Sequence, residues 1–143
     1  MCVTGCLRFN TDKVKYMGEM FFECQALNSL KLSSFNTANV TDMHSMFFDC
    51  KALESLDLSG FDTANVTDMS GMFRQCKALE SLDIHNFNME KVTSSNDMFL
   101  EVGTLYSYKT SIKVTMALMN VLNSLNVSTG DKAEYFIVDN LPG

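Results

Sequence analysis

The chain has 143 residues, of which 46% are hydrophobic and 20% are charged, so it can bury one core and is not a disordered or collagen-like chain. The net charge of -6 argues against nucleic acid or an anionic membrane as a partner, because both select basic patches. No apolar run reaches the ~18 residues that a membrane-spanning helix requires, so we expect no membrane insertion.

An internal repeat of 26 residues runs through about residues 4–99 and is the strongest pattern in the sequence. The unit from Leu53 to Ala78 shows it best. A repeat of this length is typical of leucine-rich-repeat proteins, whose units have ~20–29 residues. The identical residues that recur at this spacing include Phe9, Phe35, Phe61 and Phe87, then Val14, Val40, Val66 and Val92, then Met20, Met46, Met72 and Met98.

Each repeat begins with a predicted strand. Leu56 and Leu58 alternate with polar residues, which indicates a strand with one face in the core and the other in solvent. The corresponding strands are predicted at residues 30–32, 56–58 and 82–84, and they should pair in parallel.

A short helix is predicted to complete each repeat. Thr67 or Asp68 is a suitable N-cap, and Met69, Met72, Phe73 and Cys76 would form one apolar helical face. No repeat can bury its apolar face alone, so neighbouring repeats should stack. The predicted fold class is therefore α/β: a right-handed leucine-rich-repeat-like solenoid with a short parallel sheet and short helices on the other side.

The sequence FDTANVTDMSGMF, preceded by LESLDLS and followed by RQCKAL, resembles the 26-residue repeat of bacterial surface proteins called BspA-like. This resemblance implies a secreted or cell-surface protein, several of whose relatives look like adhesins. Residues 1–16 contain no apolar stretch of signal-peptide length, so a cytoplasmic location stays open.

Residues 100–143 depart from the repeat and read as a C-terminal capping unit on the solenoid of residues 1–99, within one structural domain. A strand at 111–114, a helix from Met116 to about Leu125 capped by Thr115, and a strand at 135–138 predict a β-α-β arrangement. At the other end, residues 3–7 could form only an abbreviated first strand.

Cys24, Cys50 and Cys76 occupy one repeat position and should stack on neighbouring repeats. We interpret them as buried, reduced core residues, with a disulfide or a metal site as the alternative. Cys2 and Cys6 lie close enough in sequence for a disulfide, and no cysteine pair has zinc-finger spacing.

Asp57 and Asp83 should be neighbours on the open sheet face, with Lys31 beside Asp57 and His85 close by. Cation binding by this aspartate pair is possible, but further carboxylates are missing. His44 is expected to face solvent, and Asp42 and Asp68 are expected to cap helices. No nucleophile with an oriented base is recognisable, so we predict no catalytic residue, no cofactor and no metal.

The favoured function is a non-catalytic module that binds a protein or glycan ligand on the open sheet face, where packing does not fix the side chains. One alternative is an intracellular or oligomerising repeat protein that associates end to end, and a less favoured one is a metal-dependent binder or enzyme built on the cap. The residues predicted to form the interaction face are Lys31, Ser55, Asp57, Ser59, Asp83 and His85.

Overall fold

The computed structural model describes residues 10–103, 110–124 and 136–138. Its regular elements in chain order are β1 (Ser55–Asp57), β2 (Ser81–Asp83), β3 (Ser111–Val114), α1 (Met116–Ser124) and β4 (Phe136–Val138). The strands form one parallel sheet in the order β1-β2-β3-β4. The fold is therefore α/β, with a parallel sheet and one short helix among the described residues. No helix in this part of the chain is long and apolar enough to cross a membrane.

The sheet register brings the central apolar residues of three strands into line. Leu56 pairs with Leu82 and Leu82 with Ile112, and all three are almost fully buried. Their neighbours on each strand point to the other face, since successive side chains in a strand alternate. The predicted alternation of core and solvent faces in β1 and β2 is thus confirmed.

The predicted strand at residues 30–32 does not form. Only Lys31 has the geometry of an isolated bridge, and a strand needs consecutive ladder pairs. The neighbouring repeats still join through a hydrogen bond from the backbone N–H of Glu54 to the carbonyl of Asn28, at 3.2 Å. Leu30 and Leu32 remain buried, so the side-chain pattern of a strand is kept without its full ladder.

The predicted helix over residues 69–76 is wrong, because this segment is a series of turns. The N–H groups of Met69, Gly71, Phe73 and Gln75 donate to carbonyls of the next repeat at 2.8–2.9 Å, which uses the donors that a helix would need. Gly71 and Gln75 also have φ angles of 62°, in the left-handed region that no right-handed helix contains. The apolar side chains predicted for this segment are nevertheless fully buried.

Asp42 and Asp68 do not cap helices, since no helix follows them. Each carboxylate accepts a hydrogen bond from the backbone N–H two residues later, at 2.9 Å to His44 and to Ser70. This local bond closes an Asx turn, which is a common way for aspartate to fix a corner. The prediction that Asp42 and Asp68 cap helices is therefore wrong, because the segment that each of them closes is a turn.

Four phenylalanines at one repeat position form a continuous ladder through the core. Phe21, Phe47, Phe73 and Phe99 stack with ring centroids 5.6, 5.8 and 5.7 Å apart and planes within 9° of parallel. All four are buried. Such offset stacking adds to the free energy gained by burial of the rings.

A second ladder is polar and consists of buried threonines. The hydroxyl of Thr37 donates to the carbonyl of Asp62 at 3.0 Å and accepts from the N–H of the same residue at 2.8 Å. Thr11 and Thr63 bond to the following repeat in the same way. Each buried hydroxyl is therefore satisfied by backbone groups of its neighbouring repeat.

The predicted β-α-β arrangement is present as β3, α1 and β4. The N–H of Leu118 donates to the hydroxyl of Thr115 at 3.1 Å, so Thr115 caps α1 as predicted. Leu118 and Leu122 are buried, whereas Val121 is 37% exposed because it lies at the edge of the apolar stripe. The predictions for residues 3–7, Leu125 and the turn at 128–131 lie outside the described residues.

We expect Phe73→Ala to destabilise the protein by about 3–5 kcal/mol, because it removes a fully buried ring that stacks on both sides. The free energy of unfolding measured by urea denaturation checks this. Phe48→Ala is the matched control. Phe48 is only half-buried, stacks on Phe22 and has the Arg74 guanidinium 5.7 Å from its ring centroid, so its loss should cost roughly 1–2 kcal/mol. An equal decrease in the free energy of unfolding in the two variants would show that the buried phenylalanine ladder contributes no more to stability than the half-buried pair.

Candidate functional site

The open face of the sheet carries two rows of polar side chains. The parallel register aligns Ser55 with Ser81 and Ser81 with Ser111, and two residues further along each strand it aligns the next set. That second row consists of Asp57, Asp83 and Lys113. Together the two rows line an open hollow of about 260 Å³.

Asp83 lies at the centre of the charged row and has two basic neighbours. Its Oδ1 atom lies 2.5 Å from Nδ1 of His85 and accepts a hydrogen bond from the His85 backbone N–H at 3.2 Å. Its Oδ2 atom lies 3.9 Å from Nζ of Lys113. Asp83 is thus held by contacts with two neighbouring side chains of the face.

Asp57 is more exposed, and its charge is stabilised mainly by Ser59. Hydrogen bonds from the Ser59 hydroxyl and then from its backbone N–H, the latter at 2.9 Å, lower the pKa of Asp57 below its ordinary value of 3.8. His85 and Lys113 lower this pKa further through their positive charge. Asp57 therefore stays ionised at neutral pH and remains accessible to a ligand.

The structure brings most of the predicted interaction residues together. Ser55, Asp57 and Asp83 line the hollow, while Ser59 and His85 follow their strands and hold the two aspartates. Lys31 is exposed but does not line the hollow.

Sequence reasoning missed Ser111 and Lys113 as members of this face. They follow their counterparts in β2 by 30 residues instead of 26, so they fall outside the repeat register. The signal that could have identified them is the alternation in Ser111-Ile112-Lys113, which matches that in Ser81-Leu82-Asp83.

The prediction of reduced, buried cysteines holds for Cys50 and Cys76, whereas Cys24 is buried as predicted but is not reduced. Cys50 and Cys76 are free and buried, and each thiol donates to a carbonyl of the preceding repeat at 3.1 Å. Cys24 is disulfide-bonded, to a partner outside the described residues. The repeat pattern predicts how the cysteines at one repeat position stack on each other. It does not predict whether one of them forms a disulfide with a cysteine at another position.

We expect the thiols of Cys50 and Cys76 to resist alkylation in the folded protein. Burial raises the pKa of Cys50 to about 11 and that of Cys76 well above its ordinary value, so neither forms the reactive thiolate near neutral pH. Mass spectrometry of the two peptides after iodoacetamide treatment, with and without urea, checks this. Rapid labelling without urea would contradict it.

We expect Ser59→Ala to raise the pKa of Asp57, measured by NMR titration of the Asp57 carboxyl carbon. Because the folded-state pKa is lowered, ionised Asp57 contributes stability above its unfolded pKa, and this contribution is lost as the pH falls through the folded value. Ser55→Ala is the control, since Ser55 is on the same strand and face and should leave this pKa unchanged. An unchanged pKa in the Ser59 variant would contradict the assignment.

Comparison with known proteins gives one result. A search of the curated proteins finds no significant match, and a search of the solved structures finds none either. A family model described as "Mycoplasma protein of unknown function, DUF285" matches residues 3–119. This range includes β1, β2, β3 and the start of α1. Because the match covers most of the sequence, the chain belongs to the DUF285 family.

Proposed function

We propose that this chain is a non-catalytic binding module that presents the open sheet face to a protein or glycan ligand. The observation that carries this proposal is the pair of polar rows on β1, β2 and β3, which line a hollow while their apolar neighbours form the core. Serine hydroxyls donate and accept hydrogen bonds, and Asp57 offers an ionised carboxylate. Such a face suits a ligand with hydroxyl, amide or basic groups.

A catalytic role has less support from the same geometry. His85 is hydrogen-bonded to Asp83, and no serine hydroxyl among the described residues of the face bonds to its ring. Nucleophilic catalysis would need a serine within hydrogen-bond reach of the imidazole. The contacts of His85 suit a residue that orients a carboxylate.

The architecture that we propose for this module is a right-handed, leucine-rich-repeat-like solenoid of the BspA-like kind, closed by residues 100–143. The support is the set of backbone hydrogen bonds between residues 25 or 26 positions apart, from Met17 with Asp42 to Thr93 with Thr67. The aromatic and threonine ladders follow the same step. By the same resemblance, we propose a cell-surface or secreted location.

We expect the double change Asp57→Asn and Asp83→Asn to weaken ligand binding at least about tenfold, which corresponds to ~1.4 kcal/mol. Asparagine removes both charges but keeps the side-chain oxygen that closes each Asx turn, so the protein should stay folded, with a loss of roughly 1 kcal/mol per removed charge pair at most. The measurement is surface plasmon resonance with a partner captured from the environment of the source organism or with a glycan found on an array.

The matched control is Lys51→Gln with Lys77→Gln, which changes two charges on the turn segments away from the sheet. If the control variant loses binding and the aspartate variant keeps it, our proposal has assigned the ligand to the wrong face. Sedimentation of the wild-type protein at several concentrations tests the alternative role as an oligomerising repeat protein. Self-association that increases with concentration, and that persists in the Lys51→Gln and Lys77→Gln control, would favour an end-to-end oligomer.

A further inference from the structure

A second cluster of ionisable side chains lies away from the sheet face, where two neighbouring repeats meet. Asp42, His44 and Asp68 each place one potential metal-ligand atom within 4.8 Å of the other two. Nδ1 of His44 lies 2.7 Å from Oδ1 of Asp42, and its Nε2 lies 3.6 Å from Oε1 of Glu19. All three members of the cluster are half-buried.

Each ligand group is held in place by a bond to the backbone or to its own repeat. The Asp42 carboxylate accepts from the N–H of His44 at 2.9 Å. The Asp68 carboxylate accepts from the N–H and the hydroxyl of Ser70, at 2.9 and 2.6 Å. These bonds involve one oxygen of each carboxylate, so the side chains are oriented without using all their lone pairs.

The charge around this cluster is not balanced by a permanent cation. Within the described ranges, His44 is the basic group paired with Asp42 and Glu19, and no lysine or arginine forms an ion pair with Glu19, Asp42 or Asp68. Three carboxylates therefore surround one imidazole. Elsewhere, Lys51, Arg74 and Lys113 each pair with an aspartate.

The preceding repeat leaves space for the imidazole. Gly18 occupies the repeat position that holds His44 and Ser70 in the next two repeats. A Cβ atom on Gly18 would lie 2.4 Å from Cε1 and Nδ1 of His44, so any side chain there would displace the ring. The ring thus lies against bare backbone, beside the two aspartates.

We propose that Asp42, His44 and Asp68 bind a zinc ion. Imidazole and carboxylate are ligands that zinc accepts at 2.0–2.2 Å, and tetrahedral geometry then places ligand atoms roughly 3.3 Å apart. The separations in the cluster reach up to 4.8 Å, so binding of zinc requires side-chain rotations that bring the three ligand atoms closer together. The Glu19 carboxylate is the nearest candidate for a fourth ligand, and water is the other.

His85 provides an internal comparison for this site. It forms the same local contact with an aspartate two residues earlier, but that aspartate is already paired with Lys113. Among the described residues, His85 does not belong to a group of three potential metal ligands. We therefore expect zinc to bind at His44 and not at His85, although both histidines lie in the sequence Asp-X-His.

The test is isothermal titration of zinc chloride into the full chain at pH 7.5, together with the melting temperature with and without zinc. We expect one zinc ion per chain and a higher melting temperature in its presence. His44→Ser, which inserts the residue found at that position in the next repeat, and Asp68→Asn should each weaken binding at least tenfold. His85→Ser should bind zinc as the wild type does.

Binding should also weaken at pH 5.5, because protons compete for the imidazole. Circular dichroism establishes that each variant is folded, and Asp68→Asn serves if His44→Ser is not. The proposal is wrong if the wild type binds no zinc at a one-to-one ratio, if folded His44→Ser and Asp68→Asn variants bind like the wild type, or if His85→Ser loses binding equally.

Discussion

The backbone hydrogen bond between one repeat and the next is the interaction on which the rest of this structure depends. The N–H of Met43 reaches the carbonyl of Asp68 at 2.9 Å, and the N–H of Thr67 reaches the carbonyl of Thr41 at 2.8 Å. These bonds satisfy backbone groups that burial would otherwise leave without partners. Because each bond joins residues 25 or 26 positions apart, side chains at equivalent repeat positions must stack.

Stacking has opposite consequences for apolar and charged residues. It joins Phe47 to Phe73 in a favourable contact, but it also places Asp57 beside Asp83 and Asp42 beside Asp68. Adjacent carboxylates repel each other, so each needs a compensating donor. All four obtain a donor from the residue two positions later, a serine or a histidine whose N–H bonds to the carboxylate. Asp83 also has Lys113 as a basic neighbour.

The sequence predicted the buried residues well and their local conformation less well. Apolar residues spaced three and four apart, such as Met69, Met72 and Phe73, are compatible with a helix and equally with the turns observed. The deciding feature is the left-handed conformation, which Gly71 suggests but Gln75 does not. Periodicity reports which side chains face the core, whereas the hydrogen bonds to the next repeat decide the backbone path.

The 26-residue period also determines which residues of the candidate sites the sequence could predict. Applying the 26-residue step to Asp57 correctly placed it beside Asp83, and the same arithmetic for Asp42 would have placed it beside Asp68. Lys113 could not be found in this way, because the spacing lengthens to 30 residues before β3. The helix-capping interpretation of Asp42 and Asp68 gives their proximity to His44 no role, so the sequence does not predict this cluster of three potential ligands.

The division of roles within a repeat separates the buried contacts that give stability from the exposed side chains of the sheet face. The ladders of phenylalanine and threonine and the cross-repeat backbone bonds hold neighbouring repeats together through groups other than the polar side chains of the open sheet face. The exposed positions are therefore free to differ: the third strand position is Asp57 in one repeat, Asp83 in the next and Lys113 in β3. A face of this kind can change its charge pattern one residue at a time, because substitutions at its exposed positions do not touch the buried contacts that keep the sheet in register.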